Sequence, residues 1–227
     1  MSDAHERPTA FYRFFQWIPR TFWRAFGTLR VDGLEHVPPN GAFLLISNHQ
    51  SNLDPILIQA CCPRTIHAMA KSTQFATPLI GRLMTRLNAY PVRRYQTDPQ
   101  AVRLTLRRLA GGAAVGIYIE GERSWDGRLQ AAKPGTVRIV LKAGVPVVPC
   151  TIHGTYDAWP RWDRRLQGGP IHIRFGPPMR FPALDRRRDR EAALHEAADR
   201  LMTTLARQIA SQQQLDDSRA VPHERAG

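Results

Sequence analysis

An apolar run, Ala42-Phe43-Leu44-Leu45-Ile46, stops at the polar stretch Asn48-His49-Gln50-Ser51-Asn52-Leu53-Asp54-Pro55. A second apolar run, Pro55-Ile56-Leu57-Ile58-Gln59-Ala60, follows at once. The first run reads as a buried strand and the second as the start of a helix. Asp54 suits the capping position, and Pro55 suits the first helical position because its missing N–H would be unpaired there anyway. A buried strand that turns straight into a helix confines the chain to layered folds in which a sheet carries helices. It also sets His49 and Asp54 in a strand-to-helix turn. Residues five apart on a regular helix point about 140° away from each other at 3.6 residues per turn, so these two can meet only through a turn. Gln50-Ser51-Asn52 supplies one. Two readings stand at this point: Asp54 orients the imidazole of a base, or Asp54 caps the helix and His49 is a satisfied loop histidine.

The rest of the chain repeats the alternation. A short edge strand is expected at Gly27 to Gly33, a second inner strand at Thr65 to Ala70, and a helix carrying Leu79, Ile80, Leu83, Met84 and Leu87 at helical spacing. An extended segment follows at Asn88 to Arg94. The next helix is bounded by Asp98-Pro99 and Gly111-Gly112, with Val102, Leu106 and Leu109 inward. Further strands are expected at Ala113 to Ile119, Val145 to Ile152 and Ile171 to Phe175, with a helix from Thr136 to Ala143. A long helix bears Leu194, Ala198, Leu201, Leu205 and Ile209 on one face, and the polar tail 212–227 reads as disordered. The expectation is an α/β layered domain over 27–211, with a mixed, largely buried sheet flanked by helices. Polar groups stand at three strand ends, His49/Asp54, Arg93/Arg94 and Glu120/Arg123, which is where ligands collect in such folds.

Residues 1–26 have another character. Phe11, Phe15, Ile18, Phe22 and Phe26 form one helical stripe, with Arg13, Arg20 and Arg24 opposite and Tyr12, Trp17 and Trp23 toward the flanks. This is the pattern of an amphipathic membrane-interface helix, and its density of aromatics favours that reading over packing on the protein's own core. Pro19 is expected to kink or split it. A net charge of +13, from 32 Lys and Arg against 19 Asp and Glu, suits an anionic membrane surface, phosphorylated ligands or nucleic acid. No helix–turn–helix, RNP or zinc pattern accompanies the charge, so no nucleic acid is expected. Three cysteines in no metal or disulfide spacing imply a reducing compartment and no metal site. No apolar stretch approaches the ~20 residues that span a bilayer.

Four blocks in order resemble the glycerolipid acyltransferase family, whose best-known members acylate lysophosphatidic acid. Asn48, His49, Ser51 and Asp54 match Asn-His-x-Ser-x-x-Asp, and Val92-Arg93-Arg94 looks like the second block. Glu120-Gly121 and Arg123-Ser124 meet Phe-Pro-Glu-Gly-Thr-Arg-Ser, and Val-Pro-Val-Val-Pro stands intact at Val145 to Pro149. Ile119 replaces the family's proline and Glu122 its threonine. The resemblance covers roughly residues 27–160. It implies transfer of a fatty acyl group from acyl-CoA or acyl carrier protein to a lysophospholipid hydroxyl, most simply 1-acylglycerol-3-phosphate giving phosphatidic acid. His49 would be the base and Asp54 its orienting partner. Arg93, Arg94, Glu120, Gly121, Arg123 and Ser124 would bind substrate, with no bound cofactor, at the cytoplasmic face of a membrane. Arg123 can equally pair with Glu122. Another lyso-lipid acceptor, which Glu122 raises, and a non-catalytic protein that binds anionic membrane are the competing readings.

Overall fold

The computed structural model describes residues 8–93, 98–163, 165–182 and 190–220. Its centre is β2 (Phe43–Ser47), whose every residue is buried. Phe43 and Leu45 point to one face of the sheet, and Leu44 and Ile46 to the other. Alternate side chains of a strand point to opposite faces, so an unbroken apolar run is what a strand covered on both sides requires. Around it lie β1 (Thr28–Asp32), β3 (Ile66–Lys71), β4 (Tyr90–Val92), β5 (Ala114–Tyr118), β6 (Val147–His153) and β7 (Pro170–Phe175). Among the described residues the sheet has seven strands, in the order β1-β7-β6-β2-β5-β3-β4. All neighbours are parallel except β6 and β7, so the sheet is mixed.

Among the described residues seven α-helices flank it: α1 (Ala10–Phe26), α2 (Leu53–Cys61), α3 (Pro78–Arg86), α4 (Pro99–Ala110), α5 (Pro134–Ala143), the single turn α6 (Thr155–Ala158) and α7 (Arg190–Ala220). Trp23 of α1 and Leu57 and Ile58 of α2 join Phe43, Leu45, Ile152 and Phe175 in the core on one face. Leu109, Val140, Leu201 and Leu205 pack with Leu44, Ile46, Val115 and Ile117 on the other. Asp98 caps α4 as expected, its Oδ1 accepting from the backbone N–H of Ala101 at 3.0 Å.

The structure differs from the sequence expectations in the phase and extent of several helices. Pro19 lies inside α1, yet a single helix runs from Ala10 to Phe26. It is fixed from both sides of the proline. The Gln16 amide donates to the carbonyls of Gln59 and Cys62, both at 2.9 Å, and the Trp23 indole donates to Gly169 O at 3.2 Å. The side chains it buries are Tyr12 and Trp23, which the helical wheel put on the flanks; each carries a polar atom with a partner inside. Helix α4 turns Ala101, Thr105 and Leu109 inward. Helix α7 buries Leu201 and Leu205 as expected; in its first turns Ala193 and Ala197 are the buried residues, with the expected Leu194 and Ala198 half-buried against the same core. It also continues past Gln212, where the sequence places a disordered tail. Gln212 is buried and its amide donates to His172 O at 2.9 Å, so tertiary contact carries the helix on to Ala220. Residues 221–227 lie outside the described residues.

Candidate active site

The parallel register brings three strand ends together. Ser47, the last residue of β2, pairs with Tyr118 of β5 and with Cys150 of β6. The turn after β2 therefore emerges beside the loops that follow β5 and β6. Asn48 locks this edge: its amide nitrogen donates to Ile152 O and its oxygen accepts from Ile152 N, both at 2.9 Å.

His49 and Asp54 meet. Nδ1 of the imidazole lies 2.7 Å from Asp54 Oδ2. The carboxylate can only accept, so Nδ1 carries the proton and Nε2 is the acceptor nitrogen of the neutral ring. The same Oδ2 accepts the backbone N–H groups of Gln50 at 2.6 Å and Ser51 at 2.8 Å, and Oδ1 accepts the Thr155 hydroxyl at 2.6 Å. Asp54 is fully buried, and these donors, together with the imidazole, are what makes a carboxylate tenable there. Asp54 is not the helix cap. Helix α2 begins at Leu53 with Asn52 in the capping position, and Asp54 sits in the first turn with its oxygens turned back to the preceding loop. The N-terminal end of the helix still favours an anion there. Tyr118 stacks on the imidazole with ring centroids 3.9 Å apart and planes 16° from parallel.

Glu120 and Ser124 also serve this turn. Glu120 Oε1 accepts the backbone N–H of His49 at 2.7 Å, and Oε2 accepts that of Gln130 at 3.0 Å. Burial pushes the Glu120 pKa up to about 7; the two N–H groups pull it down, while the charges of Asp54 and Asp126 push it further up. Ser124 N donates to His49 O at 2.7 Å, and its hydroxyl donates to Asp126 Oδ1 and Arg128 O. Both expected substrate ligands thus place their polar groups on the protein itself. Gly121 adopts a φ of +70°, and a Cβ there would meet Lys133 Cγ at 2.9 Å, so the close turn requires glycine. Ser51 donates its hydroxyl to Trp159 O at 2.7 Å and acts as a turn residue.

The expected cations follow the ends of β4 and β5. Arg93 is exposed, and its backbone N–H donates to Asp98 Oδ2 at 2.8 Å. Arg94 lies outside the described residues. Arg123 accepts at its carbonyl from Arg161, whose guanidinium carbon sits 3.4 Å from the centroid of the exposed Trp125 ring. Glu122 is 3.7 Å from Lys133 Nζ and 3.9 Å from an Arg161 nitrogen, so its charge is opposed by two cations. Among the described residues no cluster of three or more His, Cys, Asp or Glu could hold a metal ion.

The sequence reading named the pair and missed its surroundings. Thr155 stands 101 residues from Asp54, and nothing local marks it. Tyr118 could have been found only through the register of β5 against β2. Asn48, by contrast, lies in the quoted block, directly before His49.

Residues 28–153 match the Acyltransferase family. The chain is 29% identical over 157 residues to a 1-acyl-sn-glycerol-3-phosphate acyltransferase of Limnanthes douglasii, a match covering 66% of this chain and 54% of that one. It thus spans about half the length of this relative and of its Limnanthes alba counterpart. A protein of the same description from Bacillus subtilis is 27% identical over 187 residues, covering 81% of this chain and 90% of that one. Among solved structures, the 1-acyl-sn-glycerophosphate (LPA) acyltransferase PlsC of Thermotoga maritima superposes with a TM-score of 0.68 at 23% identity, covering 86% of this chain and 79% of that one. This last likeness is one of fold. With more than half of its length matched, and with the matched span carrying His49, Asp54, Tyr118 and Glu120, the chain belongs to the Acyltransferase family.

Proposed function

We propose that the protein transfers a fatty acyl group from an acyl thioester, acyl-CoA or acyl carrier protein, to the hydroxyl of 1-acylglycerol-3-phosphate, giving phosphatidic acid. The observation that carries this reading is the buried Asp54 carboxylate 2.7 Å from His49 Nδ1 at the carboxyl edge of the sheet. The acceptor hydroxyl gives its proton to His49 Nε2 as its oxygen bonds to the thioester carbonyl carbon. The C–S bond then breaks and the departing sulfur takes that proton from the imidazolium. Asp54 fixes the tautomer and stabilises the imidazolium, and Tyr118 holds the ring plane. A base so placed is worth ~10²–10⁴-fold in rate. Glu120 and Ser124 act by holding the His49 backbone. Arg93, Arg94 and Arg123 supply cations for the acceptor phosphate, and Gly121 lets the loop approach it. The opposition of Glu122 by Lys133 and Arg161 supports a phosphate-bearing acceptor. An acceptor with another headgroup remains the second reading, since Glu122 replaces a neutral residue of the family pattern.

The exposed aromatic face of α1, with Arg13, Arg20 and Arg24 beside it, supports peripheral docking on anionic membrane. The cytoplasmic face is the side this reading assigns, because acyl thioesters are met there. No helix among the described residues is long and apolar enough to cross a membrane. The test is thiol release from acyl-CoA or acyl carrier protein across a panel of lysolipids. Stimulation by 1-acylglycerol-3-phosphate that His49→Ala abolishes supports the assignment. No stimulation by any lysolipid, or full turnover by His49→Ala, overturns it.

A further inference from the structure

Helix α3 buries none of its residues. Much of its apolar stripe is turned to solvent: Leu79 is 77% exposed, Ile80 48% and Leu83 44%, while Met84 is half-buried and Leu87, just past its end, is buried. A nine-residue helix is too short to be stable by its own backbone bonds in water. Three exposed large apolar side chains are a poor use of it unless something covers them.

The position of α3 and its charge say what covers it. Arg86, its last residue, places its guanidinium carbon 5.8 Å from the centroid of the Phe11 ring, so α3 adjoins the start of α1. Helix α1 exposes Phe11, Phe14, Trp17, Ile18, Phe22 and Phe26. Nine of the thirteen exposed large apolar side chains among the described residues sit on these two helices. No aspartate or glutamate stands between Glu6 and Asp32, or between Asp54 and Asp98, while α1 carries Arg13, Arg20 and Arg24 and α3 carries Arg82 and Arg86. Apolar side chains flanked by arginine, with no carboxylate on either segment, complement an anionic lipid surface. Helix α3 also follows β3, whose carboxyl end lies on the same edge of the sheet as His49, since β3 and β2 both run parallel to β5.

We propose that α3 is a second bilayer-contacting element, which together with α1 seats the protein on anionic membrane, with α3 at the edge of the sheet that carries His49. The proposal rests on the reading of α1 as an interface helix and extends it to a part of the chain 60 residues downstream. Leu79, Ile80 and Leu83 enter the interface, and Arg82 and Arg86 meet lipid phosphates.

Flotation of the full chain with vesicles of phosphatidylcholine, alone or mixed with phosphatidylglycerol, tests this. Leu79→Glu/Leu83→Glu is expected to lower partition onto the mixed vesicles at least about tenfold, since burying a leucine side chain is worth more than that factor. Its thermal midpoint should be unchanged, because neither residue is buried. Arg82→Gln should weaken binding to mixed vesicles by a smaller factor. Flotation of the double variant equal to that of the parent overturns the proposal. So does a parent that binds phosphatidylcholine alone equally well, which removes the anionic surface. A parent dimer that the double variant converts to monomer without altered flotation assigns the face to a second copy and also overturns it. Thiol release by the parent separates the two claims: a parent whose vesicle binding depends on α3 but which releases no thiol with any lysolipid keeps this surface and fails the enzymatic reading.

Discussion

Among the described residues, two histidine–aspartate pairs share the same short contact. His49 Nδ1 is 2.7 Å from Asp54, and His172 Nε2 is 2.7 Å from Asp32. The first pair stands in a turn at the carboxyl edge of the sheet. Its carboxylate is fully buried and receives a side-chain hydroxyl and two backbone N–H groups besides the imidazole. In the second pair the histidine lies within β7, fully enclosed, and the carboxylate on edge strand β1 is 30% exposed with Arg30 and Arg174 beside it. The imidazole nitrogen opposite Asp32 is buried and has no hydrogen-bond partner. A base needs a fixed tautomer and a path for a substrate to its other nitrogen. The His49 turn supplies the first and stands at a strand end, as the proposed function requires, whereas His172 is a strand residue stitched to its neighbour. The pair alone therefore says little; the strand end on which it sits says much.

Substitutions can break this contrast. His49→Ala is expected to cost ~10²–10⁴-fold in lysolipid-stimulated thiol release, whereas His172→Gln should leave turnover per folded molecule within about twofold. Comparable losses in both would erase the distinction. Asp54→Asn comes next. It turns an N–H₂ toward buried donors, and chemical denaturation should show a loss of roughly 2–4 kcal/mol in addition to lost turnover.

Glu120→Gln should act through pH. The folded pKa of Glu120 is raised from 4.5 to about 7 by burial. Between those values the unfolded chain has lost the proton that the folded protein keeps, so the folded form binds more protons and stability falls as pH rises through the window. The loss is on the order of 3 kcal/mol by pH 7 and above. Melting curves of Glu120→Gln should lack this decline; a parallel decline would assign it elsewhere. Thr155→Val, which removes one donor from Asp54, is expected to cost roughly 1–2 kcal/mol and to lower turnover less than Asp54→Asn does.

The smallest effect belongs to His172. Burial holds its pKa below 6.5, although Asp32 opposes this. The unfolded chain takes up a proton first as pH falls below 6.5, so stability declines on that side. His172→Gln should flatten this acid limb and leave the Glu120 window untouched.

The helices mark where the sequence was legible. Asp98 and Pro99 announced α4 because a cap and its first turn are neighbours in the chain. The apolar period of α3 gave a helix correctly, but periodicity marks which side chains share a face and not what that face meets. In α3 Leu79, Ile80 and Leu83 face solvent while Leu87 is buried, and in α1 the side that meets the protein carries Tyr12 and Trp23, each with an inward polar partner, while Phe11, Ile18, Phe22 and Phe26 are exposed. In α7 Leu201 and Leu205 are buried where the period placed them, and Ala193 and Ala197 join them because close packing against a sheet favours small residues that a hydrophobic wheel underrates.

The sequence by itself determined the alternation of strands and helices and the strand ends that carry His49, Asp54, Glu120 and Arg123, because propensity, period and capping act between near neighbours. The tertiary structure alone decided that Thr155 reaches Asp54, that Tyr118 lies under the imidazole and that Glu120 turns inward to the His49 backbone. Those contacts follow from the register of parallel strands, where a shift of a single residue reverses every side chain, and no local signal sets that register.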